Sequence, residues 1–132
     1  MPGNWDVLVV SADIDHRRAL EQVFAPLSLS VISCSALEQA AEVLSRQTVN
    51  LVFCDDSLAD GSYRDLLTNA LAGRKMPRFV VTMRTGEWEE YLEAKRSGAF
   101  DVLRRPWHPT DVEMVFLRAI HEDRRAAYQM LV

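Results

Sequence analysis

The sequence is poor in the residues that build metal sites and disulfides. Only two cysteines, Cys34 and Cys54, occur among its 132 residues. Each stands at the end of a predicted strand, and we expect both to be small buried side chains that remain thiols. The three histidines, at positions 16, 108 and 121, do not cluster with them in the sequence. The two cysteines therefore offer too few ligands for a metal site.

The chain also lacks long apolar runs and an excess of positive charge. No apolar stretch approaches the roughly 18 residues of a membrane span. The N-terminus has neither the basic nor the apolar region of a signal peptide. The formal net charge is −4, so no basic field favours nucleic acid. We expect a cytoplasmic protein that binds neither membranes nor nucleic acid.

Short apolar runs alternate with helical patterns along the whole chain. The runs predict five strands, at residues 6–10, 29–34, 51–54, 79–83 and 99–103. Between them, apolar residues recur at helical spacing, as Leu20, Val23 and Phe24 do. Regular alternation with short loops predicts an α/β fold, a doubly wound five-stranded parallel sheet with helices on both faces. For one domain of this length we expect the flavodoxin-like strand order 2-1-3-4-5.

Local signals predict several helix ends and turns. The Ser/Thr-x-x-Glu pattern at residues 35–38 and 110–113 is typical of a capping box, and it predicts the starts of the second and fifth helices. Asp60 and the glycine after it indicate a simple turn. His16 lies near the start of the first helix between charged neighbours, which indicates a solvated surface.

The third apolar run ends in two carboxylates, Asp55 and Asp56. A run this short and this apolar is typical of a strand buried on both faces of a parallel sheet. Ligands and chemistry in such sheets lie at the carboxyl ends of the strands. Asp55 is therefore the first candidate for a functional residue.

Three segments in this order resemble a response-regulator receiver domain, the CheY-like phosphoacceptor module of two-component signalling. They are the run ending in Asp55, FVVTM at residues 79–83, and SGAFDVLRRP at residues 97–106. The resemblance covers about residues 5–122. It implies a receiver-like domain at residues 1–122, with residues 123–132 as a C-terminal helix extension or the start of a linker.

In that family a phosphoryl group passes from a phosphohistidine to an Asp at the end of the third strand. A Mg²⁺ ion, held by this Asp and by an acidic pair after the first strand, offsets the repulsion between the two anions. The resemblance makes Asp55 the phosphoacceptor or its relic and Thr82 the switch hydroxyl. It gives Arg105 the contact with the phosphoryl group or with Asp55. We expect Arg105 to pair with Asp55, since a guanidinium can grip a carboxylate through two parallel hydrogen bonds.

Several positions depart from the family pattern. They are Ser11 and Ala12 in place of the acidic pair, Val102 in place of the fifth-strand aromatic, and Arg105 in place of Lys. We therefore expect no cofactor, with Mg²⁺ possible but weakened by the loss of both carboxylates. Asp13 and Asp55 stay as weak candidate metal ligands.

The leading interpretation is a pseudo-receiver, a signalling module rather than an enzyme, with impaired Mg²⁺-dependent phosphorylation. It would bind a histidine kinase or an output domain, or a second copy of itself, through the surface of the fourth helix, fifth strand and fifth helix. Trp88, Arg104 and Trp107 are the candidate contact residues there. One alternative is a working receiver phosphorylated on Asp55. Another is a flavodoxin-like small-molecule binder, although the first loop is a poor phosphate cradle.

Overall fold

The computed structural model describes residues 5–73 and 76–131. Its helices and strands alternate along the chain. In order they are β1 (Asp6–Val10), α1 (Ile14–Phe24), β2 (Ser30–Cys34), α2 (Leu37–Arg46), β3 (Leu51–Asp55), β4 (Ser57–Leu58), β5 (Gly61–Ser62), α3 (Tyr63–Leu71), β6 (Arg78–Met83), α4 (Trp88–Arg96), β7 (Asp101–Arg104) and α5 (Pro109–Leu131). A short 3₁₀ turn, Ala25–Leu27, follows α1.

The five longer strands form one parallel sheet in the order β2-β1-β3-β6-β7. This confirms the predicted order, because β6 and β7 are the fourth and fifth strands of the sheet along the sequence. Side chains alternate between the two faces. Val7 and Val9 of β1 face one side, and Leu8 and Val10 face the other. Since both faces are covered, the central strands are apolar almost without a break.

Two apolar layers hold the helices against the sheet. Helices α1 and α5 pack on one face, where Phe24 lies 5.7 Å from Phe116 and 5.5 Å from Phe53 between ring centroids. Helices α2, α3 and α4 pack on the opposite face. Cys34 and Cys54 are both buried there as free thiols, as predicted.

The strands β4 and β5 form a small antiparallel hairpin directly after β3, where only a turn was predicted. Asp60 lies at its tip, and its two carboxylate oxygens accept hydrogen bonds from the backbone N–H groups of Leu37 and Glu38, both at 3.0 Å. Asp60 therefore caps α2 from outside that helix. The capping box predicted at residues 35–38 is wrong, because the helix begins one residue later, with Ala36 as its N-cap.

The start of α5 also differs from the prediction. The backbone N–H of Thr110 donates to Nδ1 of His108 at 3.1 Å, and the backbone N–H of His108 donates to the Asp111 carboxylate at 2.8 Å. This reciprocal pair satisfies two backbone groups and lies two residues before the predicted box at residues 110–113. A histidine ring nitrogen serves here as the capping acceptor in place of a hydroxyl.

Helix α5 continues without a break to Leu131, and side chains 121–130 are all exposed. The predicted division between a domain at residues 1–122 and an extension at residues 123–132 falls inside this helix. It stays a prediction, and residues 1–4 and 132 lie outside the described part of the chain. No helix within that part has the length and apolar character needed to cross a membrane.

We expect Asp60→Ala to lower the thermal unfolding midpoint by a few degrees at pH 7, because two N–H groups of α2 lose their acceptor. The same two hydrogen bonds hold the pKa of Asp60 below its ordinary value. The stabilisation is therefore complete above about pH 4 and disappears as the folded protein takes up the proton at lower pH. Ser35→Ala is the matched control, and an equal loss in both variants would contradict the assignment of the cap.

Candidate functional site

The carboxyl ends of four strands meet at one edge of the sheet and carry the polar residues of the site. Asp55 ends β3 and lies in register with Thr82 on β6. Ser11 follows β1 directly, and Arg105 follows β7. Because the strands are parallel, these ends lie side by side. The structure thus brings together Asp55, Thr82 and Arg105, the three residues that the resemblance singled out.

Asp55 is only 1% exposed, and both of its carboxylate oxygens are engaged by neighbouring side chains. Ser11 Oγ donates to Oδ2 at 2.7 Å, and Thr82 Oγ1 donates to Oδ1 at 2.8 Å. His16 Nδ1 lies 3.0 Å from Oδ1. Ser11 and Thr82 are themselves fully buried. The result is a buried pocket in which hydroxyl and imidazole groups contact the carboxylate directly.

His16 enters this pocket from the first turn of α1 and is 8% exposed, so the prediction of a solvated surface is wrong. Successive residues of a helix point about 100° apart, and the charge of the residues next to His16 therefore says little about its own direction. Trp107 donates its indole N–H to Nε2 of His16 at 2.9 Å. An indole nitrogen can only donate, so Nε2 must accept and Nδ1 carries the proton. The Nδ1–H of the neutral ring therefore faces two oxygens, Asp55 Oδ1 at 3.0 Å and Ser11 Oγ at 3.2 Å.

Hydrogen bonding decides the charge of Asp55. Burial raises its pKa, whereas the hydrogen bonds from His16, Ser11 and Thr82 lower it. The lowering prevails, so the pKa lies below the ordinary value and the group is ionised at neutral pH. The pocket thus stabilises a buried carboxylate by means of its own donors.

Arg105 lies beside Asp55 without donating a hydrogen bond to it. Its Nη2 is 3.8 Å from Asp55 Oδ2, and its Nη1 is 3.7 Å from Asp13 Oδ2. Both distances exceed those of a hydrogen bond. The expected closeness of the two charges is present, but the two parallel hydrogen bonds are not.

Asp13, the other candidate metal ligand, caps helix α1. Its Oδ1 accepts hydrogen bonds from the backbone N–H groups of His16 at 3.2 Å and Asp15 at 2.9 Å, and its pKa is lowered, chiefly by the bond from His16. Among the described residues, no three His, Cys, Asp or Glu side chains gather into a group that could hold a metal ion. Hydroxyl, imidazole and guanidinium groups around Asp55 do not fit Mg²⁺, a hard cation that prefers charged oxygen ligands.

The three predicted contact residues do not form a single surface. Trp88 is 69% exposed on α4 and stacks on Tyr91, with ring centroids 5.4 Å apart. Arg104 is exposed, and its side chain packs against Gly86, two residues before Trp88. The contact is close, because a Cβ atom placed on Gly86 would lie only 2.7 Å from Arg104 Nε. Trp107 instead turns towards α1 and packs on the layer beneath α1 and α5.

Comparison with known proteins extends this description. No family model matches the chain. Over 101 residues the chain is 32% identical to the response regulator protein PilR of Pseudomonas aeruginosa. The matched region covers 75% of this chain and 22% of that protein. Over 103 residues it is 28% identical to the transcriptional regulatory protein ZraR of Escherichia coli, covering 78% and 23% respectively. The chain thus spans less than a quarter of the length of these curated relatives.

Several solved structures with the same fold are receiver domains. The signal receiver domain of an HD domain-containing protein from Pseudomonas fluorescens superposes with a TM-score of 0.86 at 16% identity, covering 97% of this chain and 95% of that one. A chemotaxis response regulator of Vibrio cholerae gives a TM-score of 0.80 at 15% identity, covering 88% and 98%. The chain belongs to the receiver-domain family. The fold likeness and the response-regulator relatives agree on this point.

Within this receiver domain, sequence reasoning found Asp55, Thr82 and Arg105 but missed the role of His16. Two departures from the family pattern, taken together, could have indicated the role of His16. Ser11 and Ala12 remove the acidic pair, and a histidine follows one helical turn later on the same loop and helix. The ring of His16 fills the space beside Asp55 that these changes leave without a carboxylate.

We expect His16→Ala to raise the pKa of Asp55, because that carboxylate loses one of its donors while it stays buried. The carboxyl carbon shift of Asp55, followed by NMR against pH, measures this change. The tryptophan emission should also shift to longer wavelength as Trp107 loses its acceptor. Tyr128→Ala, on the exposed part of α5, serves as the control. An unchanged Asp55 titration in His16→Ala would show that the ring does not donate to it.

Proposed function

We propose that this chain is a pseudo-receiver, a signalling module that works without Mg²⁺-dependent phosphorylation of Asp55. One observation carries the proposal. Both oxygens of Asp55 are engaged by protein donors from Ser11, Thr82 and His16. A phosphoacceptor needs a free carboxylate oxygen to attack the phosphorus atom and a cation to offset the charge of the incoming group.

The charge arrangement supports the same proposal. Arg105 places a fixed positive charge within 4 Å of Asp55 Oδ2, where it takes over part of the charge balance that a metal ion would supply. Unlike a metal ion, a guanidinium offers only hydrogen-bond donors and no coordination sites. The resting state is therefore neutralised by the chain itself.

Signalling by such a module would rest on protein contacts. We propose that the partner is a histidine kinase, an output domain or a second copy of the chain, and that it binds at the surface formed by Trp88, Tyr91 and Arg104. This surface joins an exposed aromatic stack to a guanidinium, the side chains that most often anchor interfaces. Response-regulator relatives support a partner of this kind.

We expect no saturable Mg²⁺ binding by the wild-type chain at millimolar concentrations in isothermal titration. Ser11→Asp with Ala12→Asp restores two carboxylates but leaves the His16 ring beside Asp55, so this double variant should bind the ion weakly. Addition of His16→Ala removes the competing donor, and the triple variant should bind more tightly than the double.

The same proteins are then mixed with a small-molecule phosphodonor and Mg²⁺, and the phosphoryl label is quantified. The triple variant with Asp55→Asn is the matched control for labelling elsewhere. Saturable Mg²⁺ binding by the wild type, together with a label that Asp55→Asn abolishes, would overturn the proposal and establish a working phosphoacceptor.

The contact surface gives a separate prediction for self-association. Trp88→Ala should weaken dimerisation, measured by sedimentation velocity over a range of concentrations, by about tenfold or more, as expected when an interface aromatic is removed. Tyr128→Ala is the matched control, since Tyr128 is also 69% exposed but lies on the far part of α5. Equal dimerisation in both variants would exclude Trp88 from a contact between copies.

A further inference from the structure

A second polar feature lies beside the Asp55 pocket and shares His16 and Arg105 with it. A cavity of about 550 Å³ opens between α1 and the segments that follow β6 and β7. Its lining consists of Asp13, His16, Ala19, Arg84, Arg105, Pro106 and Trp107. Its size lies within the range of small-molecule sites. Asp55 does not line it, because the donors around that carboxylate close it off.

The lining has an excess of hydrogen-bond donors. Arg84 and Arg105 bring two guanidinium groups, and Asp13 brings the single carboxylate. The acceptor capacity of Asp13 is partly used, because its Oδ1 accepts two backbone N–H bonds as the cap of α1. The ring nitrogens of His16 are already engaged with Trp107 and Asp55. The two guanidinium groups therefore carry more donors than this lining has acceptors.

Arg105 itself has unmet donors. Its Nε and Nη2 are buried and have no hydrogen-bond partner among the described residues. Its nearest carboxylate oxygens are 3.7 and 3.8 Å away, on Asp13 and Asp55. Buried donors without a partner are rare in native proteins and indicate a group that binds there. These unmet donors belong to a side chain that lines the cavity.

The remaining wall is apolar and flat. Trp107, Pro106 and Ala19 form it, and the Trp107 ring is held in place by its hydrogen bond to His16. An indole that is already fixed loses little conformational freedom when a second ring packs on it. The cavity thus combines two guanidinium groups with a rigid aromatic surface.

We infer that this cavity binds a small organic anion, a carboxylate or phosphate monoester carried on a flat apolar group. Its acidic group accepts hydrogen bonds from Arg84 and Arg105, and its apolar part packs on Trp107. The inference goes beyond the proposed function, since it concerns a ligand that does not react with Asp55.

Phenyl phosphate and benzoate are suitable probes, measured by isothermal titration at pH 7 and low salt. We expect saturable binding of at least one of them by the wild type, and binding about tenfold or more weaker in Arg84→Gln and in Arg105→Gln, since each variant loses a charged donor. Arg46→Gln is the matched control, because Arg46 pairs with Glu42 on the exposed side of α2. Circular dichroism checks that each variant is folded.

Two further probes separate the parts of the site. Benzyl alcohol keeps the ring without the charge, and inorganic phosphate keeps the charge without the ring, so both should bind at least about tenfold more weakly than the better anion. No saturable binding of phenyl phosphate or benzoate, or equal binding in Arg105→Gln and wild type, would overturn the inference. Equal binding of inorganic phosphate would overturn the role of the aromatic wall. None of these readouts depends on Mg²⁺ or on labelling of Asp55.

Discussion

A carboxylate with almost no access to water must be stabilised by the protein around it, and Asp55 sets this requirement for the pocket. Leaving such a charge unpaired costs several kcal/mol. Hydrogen bonds to a charged group contribute about 1.5–3 kcal/mol each, so the hydroxyls of Ser11 and Thr82 and the imidazole of His16 together offset a cost of this size. Three separate elements therefore contribute to stabilising this one charge: the end of β1, the end of β6 and the first turn of α1.

Much of the fold could be predicted because it follows from patterns within short stretches of sequence. The buried strands are runs such as residues 51–54, and the position of Asp55 at the end of one of them follows from the direction of the strand. Helix caps were less predictable. Asp60 caps α2 from more than twenty residues away, and no spacing rule within the helix could reveal it. The hydroxyl at Ser35 suited the local rule, but a carboxylate from the hairpin reaches the same backbone groups.

The site shows the same division between local and distant information. Asp55 is visible in the sequence because it ends an apolar run, and Thr82 and Arg105 are visible because they match positions in the receiver-domain motifs. His16 is not, because its role depends on Trp107, which lies 91 residues further along the chain and fixes which ring nitrogen carries the proton. A contact of that kind exists only after the sheet has formed, when α1 and the segment after β7 become neighbours.

The short hydrogen bond from Ser11 to Asp55 also bears on the routes by which this pocket can change. A single Ser11→Asp replacement would set two buried carboxylates against each other, with the His16 ring still in place and no second ligand at Ala12. We expect this single replacement to destabilise the folded protein, since like charges in a buried site repel strongly. A carboxylate at position 11 would therefore need a further change that separates or offsets the two charges.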